Sequence, residues 1–363
     1  MHSSFIPCIS LPTWWGYAGI LVFVLSLTAC QSGEISLTRF EDSPVIDSLL
    51  ASAPHFVANT DIEAERWIAT TSLGHPTDSL ILGSPWLMIA IGDSVYVSEQ
   101  TGIIFAIGAD RYLSRKIGNS GKGPGEFEFL DGLQYNGSHI FVLEVGRVQV
   151  LTDKFEYVGS FLSSTLLQGR FSVSPDYVFM KCRGNDWLVC ARSTSAPYNW
   201  IPSINLLPVL SLPDRSGENF HEVTISPDGD RIAVAYSGLP YIFIYDDDFR
   251  HLRTIRFAGS EVHNFKPVGL PNGAPAGMEP GSFSFIAQMK FINSRFLIVR
   301  APIYDHYVFD LSEYDYNLAR KIIFHPPDDM KSISTMDFLL HGDHLYVSSQ
   351  WEEYVYGFKF DLE

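Results

Sequence analysis

Residues 136–161 read NGSHIFVLEVGRVQVLTDKFEYVGSF. A small turn opens an apolar run, a second tight turn at Val145-Gly146 opens another, and a polar break leads into a third. Short runs of β-branched and aromatic residues between Gly, Asn and Asp turns are the signal for hairpin-connected strands. The same pattern returns at 91–110 (IGDSVYVSEQTGIIFAIGAD), 184–193 (GNDWLVCARS), 226–257, 293–311 and 341–362. Anchored on the first apolar residue of each central strand, the units start at Val95, Ile140, Leu188, Ile232, Phe296 and Leu345, with steps of 45, 48, 44, 64 and 49 residues. Units of this length, each with several short strands, are what propeller blades produce, because one small sheet cannot bury both faces alone. The fold expected is all-β: a six-bladed β-propeller of four-stranded antiparallel sheets over residues 60–363.

Two stretches depart from the period. The 64-residue step marks an insertion between Ala258 and Phe283, rich in Gly and Pro, that reads as a surface loop. The best helical candidate, Asp61 to Thr71, reads equally as a strand (RWIATTSL) that completes the last blade from the N-terminal side and hides sheet edges.

The N-terminus carries an address. Trp14 to Ala29 (WWGYAGILVFVLSLTA) has the length of a signal-peptide core and falls short of a comfortable membrane span. It ends in Leu27-Thr28-Ala29-Cys30, which resembles a bacterial lipobox whose cysteine becomes the lipid-modified first residue; the segment before it holds His2 but no Lys or Arg. The organisation expected is a signal peptide over 1–30 with Cys30 as the lipid attachment site, a polar linker over 31–59, and the propeller. The alternative is an uncleaved anchor. Either way the membrane is a partner, and the place expected is the bacterial cell envelope, at the outer membrane or the periplasmic face.

Lys and Arg number 25 against 41 Asp and Glu, a net charge of −16, with no compact basic run. Such a chain is repelled by phosphate backbones, which argues against nucleic acid as a partner. With Cys8 in the signal and Cys30 lipidated, Cys182 and Cys190 remain, flanking Gly184-Asn185-Asp186 between two expected strands. In an oxidising compartment they form either a disulfide or two buried thiols.

Residues 121–127 read GKGPGEF and raise the question of a phosphate-binding loop. That motif needs G-x-x-x-x-G-K-[ST] leading into a helix. Here Lys122 is followed by Gly123-Pro124, and only two residues separate Gly118 from Gly121. Moreover, GMEPGSF at 277–283 repeats both outer glycines, the proline and the phenylalanine, and each phenylalanine stands 13 residues ahead of a central strand (Phe127 to Ile140, Phe283 to Phe296). The loop therefore reads as a connector, with glycines supplying positive φ and the phenylalanine plugging between sheets.

The stretch 117–151 resembles an NHL-type propeller repeat, in which such a turn precedes a strand pair; Arg147-Val148 match its second turn, while Glu144 and Gly146 replace the usual acid and amide. SPDGDRIAVAYSG (226–238) looks like the blade hairpin of TolB-like propellers. Together with the lipobox, these features resemble the TolB-like six-bladed propeller lipoproteins of Bacteroidetes.

That resemblance speaks to the fold and hardly to chemistry, and two functional readings follow, the first a lipid-anchored binding or scaffolding module for a protein or glycan partner. The alternative is a divalent-metal-dependent hydrolase or lyase, because related six-bladed sugar-lactone hydrolases hold calcium in the central channel. The channel-mouth candidates here are Asp131, His221, Gln288 and Asp337, just ahead of the central strands. No nucleophile with its base, complete metal set or cofactor loop emerges, which points away from an enzyme and assigns no catalytic residue. Tyr304-Asp305-His306 and His341-Gly342-Asp343-His344 set Asp beside His at expected solvated turns.

Overall fold

The computed structural model describes residues 44–163, 171–182, 186–210, 221–260, 262, 285–301, 305–312, 316–328 and 331–361. The signal segment with Cys30, residues 183–185, and the repeat motif 277–283 with most of the 258–283 insertion lie outside the described residues.

Six sheets form the ring. Blade 1 contains Pro85–Ile91, Ser94–Glu99, Ile104–Ile107 and Leu113–Ile117; blade 2 contains Gly132–Tyr135, His139–Glu144, Arg147–Thr152 and Tyr157–Leu162. Blade 3 follows with Ser172–Val173, Tyr177–Lys181, Val189–Ser193 and Trp200–Asn205, and blade 4 with His221–Ile225, Arg231–Tyr236, Tyr241–Asp246 and His251–Ala258. Blade 5 is Gln288–Phe291, Phe296–Arg300, His306–Asp310 and Asn317–His325; blade 6 is Asp337–His341, His344–Ser348, Val355–Lys359 and, from the N-terminal side, Thr71–Leu73. The first strand of each blade is the innermost.

Middle strands are apolar on both faces because a blade is covered on both sides. In blade 2, Ile140 and Val142 pack with Leu87, Tyr96 and Ile104 of blade 1, while the intervening Phe141 and Leu143 pack with Phe171, Val178 and Met180 of blade 3. Alternation is lost there and returns only outside, where Tyr157–Leu162 buries Phe161 alone. The third-to-fourth strand ladder carries a register shift in blades 1 to 5, at Ala106/Ile107, Val150/Leu151, Cys190/Ala191, Ile244/Tyr245 and Val308/Phe309. A bulge of this kind increases local twist.

The N-terminal segment differs from expectation. A helix, α1 (Pro44–Ala51), and a strand, His55–Asn59, occupy the end of the stretch read as linker; the strand pairs parallel to His251–Ala258 as a fifth strand of blade 4. RWIATTSL is not helical. Glu65–Ile68 adds parallel to Asn317–His325 of blade 5, and only Thr71–Leu73 closes blade 6, antiparallel to Val355–Lys359. Residues 55–73 thus form a strap across three consecutive blades.

Blade 3 is also displaced from the reading. Its second strand is Tyr177–Lys181, so Leu188 precedes the third strand. The described residues on either side of the Gly-Asn-Asp stretch, Tyr177–Lys181 and Val189–Ser193, pair antiparallel. Cys182 and Cys190 are joined across that hairpin as a disulfide, with Cα atoms 5.1 Å apart. No helix among the described residues is long and apolar enough to cross a membrane.

Candidate functional site: the central channel and its strand-start face

The inner strands surround a cavity of about 370 Å³. Its wall consists of consecutive residues, such as Leu87–Ala90 and Asp131–Gly137, because each blade turns a strand edge to the axis. An edge leaves backbone groups without ladder partners. Neighbouring blades supply them: Met88 N donates to Asp337 Oδ2 at 2.8 Å, Ile225 N to Ser172 Oγ at 3.1 Å, and Phe291 N to Thr224 Oγ1 at 3.2 Å. Gln288 Nε2 donates to Met336 O at 2.9 Å, tying blade 5 to blade 6. The second carboxylate oxygen of Asp337 lies 2.8 Å from Lys290 Nζ, an ion pair in the channel wall. Polar inner-strand residues therefore act first as fasteners between blades.

The four candidate residues all stand at one end of the ring, but they do not converge. Asp131 and Asp337 line the cavity. His221 and Gln288, 1% and 0% exposed, are sealed into the walls and do not line it. Among the described residues, neither ring nitrogen of His221 nor Oε1 of Gln288 has a hydrogen-bond partner. Burial, with the Lys181 cation adding to it, pushes the His221 imidazole down to about 3, so the ring is neutral. Among the described residues no three His, Cys, Asp or Glu side chains gather into a set that could hold a metal ion. Lys290 escaped the sequence reading; its signal is a single cation inside the otherwise apolar run Met289 to Ile292.

The two His-Asp turns separate. Asp343 Oδ1 lies 2.6 Å from His344 Nδ1, and this contact holds the Asp343 carboxyl below its ordinary range. His306, expected at a solvated turn, is 0% exposed, with Nε2 2.8 Å from Thr335 Oγ1 and its ring against Phe324 and Phe338. The strand starts one residue earlier than a turn reading allows, which carries the ring into the interface with blade 6.

GKGPGEF is a connector built from its own amides. Gly123 N donates to Glu126 Oε2 and Gly125 N to Gln149 Oε1, both at 2.9 Å, so these N–H groups do not point at a ligand. Arg147 clamps the loop from blade 2: Nη1 donates to Lys122 O at 2.6 Å, Nη2 to Glu126 O at 3.0 Å, and Nε to Glu144 Oε2 at 2.7 Å. Within the motif only Gly125 has positive φ, at 74°. Gly118 serves the plug instead, since a β-carbon there would meet the Phe127 ring at 2.6 Å. Phe127 itself is 1% exposed between blades 1 and 2.

The loops between second and third strands share the strand-start face with Asp131 and Asp337. Trp351 in blade 6 is 72% exposed, and Ile81, in the loop leading into blade 1, is 73% exposed. Ser84 Oγ donates to Gln350 O at 3.1 Å and holds these two loops together. The opposite face carries the Asp-rich hairpin turns, among them Asp228, Asp230 and Asp343.

No family model matches the sequence, and no curated protein matches it. Among solved structures, the chain is similar to a Bacteroides fragilis protein described as exported, at 11% identity and a TM-score of 0.50, covering 85% of this chain and 99% of that one. It is also similar to the Cps50 (Swd1) β-propeller domain of Myceliophteria thermophila, at 10% identity and 0.46, covering 81% and 99%. A third is hydrazine synthase of Kuenenia stuttgartiensis, at 12% and 0.47, covering 80% and 98%. The six sheets around one axis, with the similarity to the exported Bacteroides fragilis protein bearing on the fold alone, make the chain a six-bladed β-propeller.

Proposed function

We propose that this chain is an exported binding module of the TolB-like or NHL-like kind, tethered to the bacterial cell envelope through lipid on Cys30, holding a protein or glycan partner on its strand-start face. The observation that carries the reading is the contrast within that face. In the channel Asp337 is engaged by Lys290 and by Met88 N, whereas Trp351 and Ile81 stand largely in water on two joined loops. An exposed tryptophan offers a large apolar surface with one polar handle, the kind of group that anchors interfaces and stacks on sugars. Export is supported by the lipobox and by the description of the Bacteroides fragilis neighbour.

A photo-cross-linking residue at position 351 in the full chain tests the face, with the same residue at Asp230 as the opposite-face control. Adducts with envelope protein or polysaccharide are expected at 351 and not at 230; equal labelling overturns the choice of face. In the same cells, Cys30→Ser should move the chain from the membrane to the soluble fraction, and continued retention points to the uncleaved anchor.

A further inference from the structure

A second cavity, of about 530 Å³, is bounded by α1 and by blades 3 and 4. It is larger than the channel and falls within the range of about 300–1,000 Å³ typical of small-molecule sites. The helix supplies one wall. Val45, Ser48, Leu49 and, just past the helix end, Ser52 stand at i, i+3, i+4 and i+7 and so share one face, while Ile46 is 0% exposed and anchors the helix. Blade 3 supplies Trp187, Leu206 and Pro208, and blade 4 supplies Tyr245, Phe249 and His251. This wall is fastened to blade 4: Thr254 N donates to Pro54 O at 3.0 Å, and Ser52 Oγ lies 2.6 Å from His251 Nδ1.

The lining selects what fits. No Asp, Glu, Lys or Arg contributes to it, in a chain of net charge −16. Burial pushes His251 below its ordinary value, so the ring is neutral, and its nitrogens are taken, Nδ1 by Ser52 and Nε2 by Thr254 Oγ1 at 3.1 Å. A charged ligand would therefore lose its water here without gaining a counter-charge. Trp187, Tyr245 and Phe249 offer aromatic surface instead. Tyr245 is only 7% exposed and stacks on His251, with ring centroids 5.1 Å apart. Among the described residues its hydroxyl has no hydrogen-bond partner, yet it is not one of the groups sealed from solvent, so it opens on the cavity. A tyrosine buried this far ordinarily finds a partner for its hydroxyl.

We propose that this cavity binds an uncharged aromatic molecule bearing a hydroxyl, with its ring against Trp187 and Phe249 and its hydroxyl bonded to that of Tyr245. The rings supply the apolar area and the Tyr245 hydroxyl fixes the orientation. The site is separate from the strand-start loops, since neither Trp351 nor Ile81 lines it.

The test is equilibrium dialysis of the full chain in lipid nanodiscs at neutral pH, with empty nanodiscs as the blank. The probe is 2-naphthol, and 2-naphthoate presents the same ring system with a negative charge. Saturable binding of 2-naphthol is expected, with 2-naphthoate at least about tenfold weaker. Tyr245→Phe should weaken 2-naphthol about fivefold without lowering the melting temperature, because the hydroxyl holds nothing in the protein. Ser48→Trp, at an exposed helical position facing the cavity, should fill it and abolish binding, whereas Trp351→Ala should leave binding unchanged. No saturable binding, the outcome if protein already fills the cavity, overturns the proposal. So does equal affinity for 2-naphthoate, full affinity in Tyr245→Phe or Ser48→Trp, a melting temperature lowered by Tyr245→Phe, or loss of binding in Trp351→Ala.

Discussion

At the scale of single residues, Arg147 does more than its neighbours in the motif that first draws the eye. It fastens two carbonyls of the GKGPGEF turn and neutralises Glu144, which is 4% exposed. Arg147→Ala strands that carboxylate with only part of its hydrogen bonding, and a loss of about 2–4 kcal/mol is expected. Lys122→Ala, whose side chain is 80% exposed and only 3.6 Å from an exposed Glu128, should change stability by less than about 0.5 kcal/mol. Urea unfolding of both variants checks the order, and a larger effect from Lys122 would mean that the loop holds a ligand after all. His221 supplies a pH-dependent test. Its folded pKa of about 3 lies below the ordinary value of 6.5, so on acidification the unfolded chain takes up the proton first. Its contribution is complete above about pH 6.5 and is lost as pH falls toward 3. His221→Leu should therefore flatten the wild-type decline by up to about 1.4 kcal/mol per pH unit in that window, read as urea midpoints at stepped pH. Parallel curves would mean the ring is not buried neutral. The position of His221 at a strand start is legible in the sequence; its isolation is not, because which side of the edge the ring takes depends on the neighbouring blade.

Among the elements, the strap governs closure. Gly357 in the third strand of blade 6 faces Thr71, and a β-carbon there would lie 2.4 Å from Thr71 Cγ2 and 2.8 Å from Tyr346 Cε1. Gly357→Ala should push Thr71–Leu73 off the blade, costing about 1–3 kcal/mol by overpacking. Faster proteolysis within residues 55–73 and a lower melting temperature are the readouts; an unchanged cleavage rate would mean that the strap is not held by this contact. A closing strand is legible in RWIATTSL because it is rich in β-formers and stands just ahead of the first full unit, on the N-terminal side from which a last blade is completed. The parallel additions are not legible. Glu65–Ile68 buries almost nothing, and its pairing is with a strand more than 250 residues away. Blade 3 was misread for a related reason, since a Gly-Asn-Asp turn looks the same between any two strands, and only pairing tells which two.

For the whole molecule, the sequence by itself determined the architecture, because a blade's middle strands are buried on both faces and its turns need Gly, Asn and Asp, and both demands are written locally and repeat. It also determined the net charge of −16. Tertiary structure alone decided the fate of the polar residues at the channel end. Asp131, His221, Gln288 and Asp337 look equivalent along the chain, yet Asp337 fastens blade 6 to blade 1, Gln288 fastens blade 5 to blade 6, and His221 is sealed away. Their roles depend on contacts between blades whose partners lie far apart along the chain, 249 positions in the case of Met88 and Asp337. Such contacts have no local signature, because a strand edge exposes the same backbone groups whatever side chain a neighbour sends to meet them.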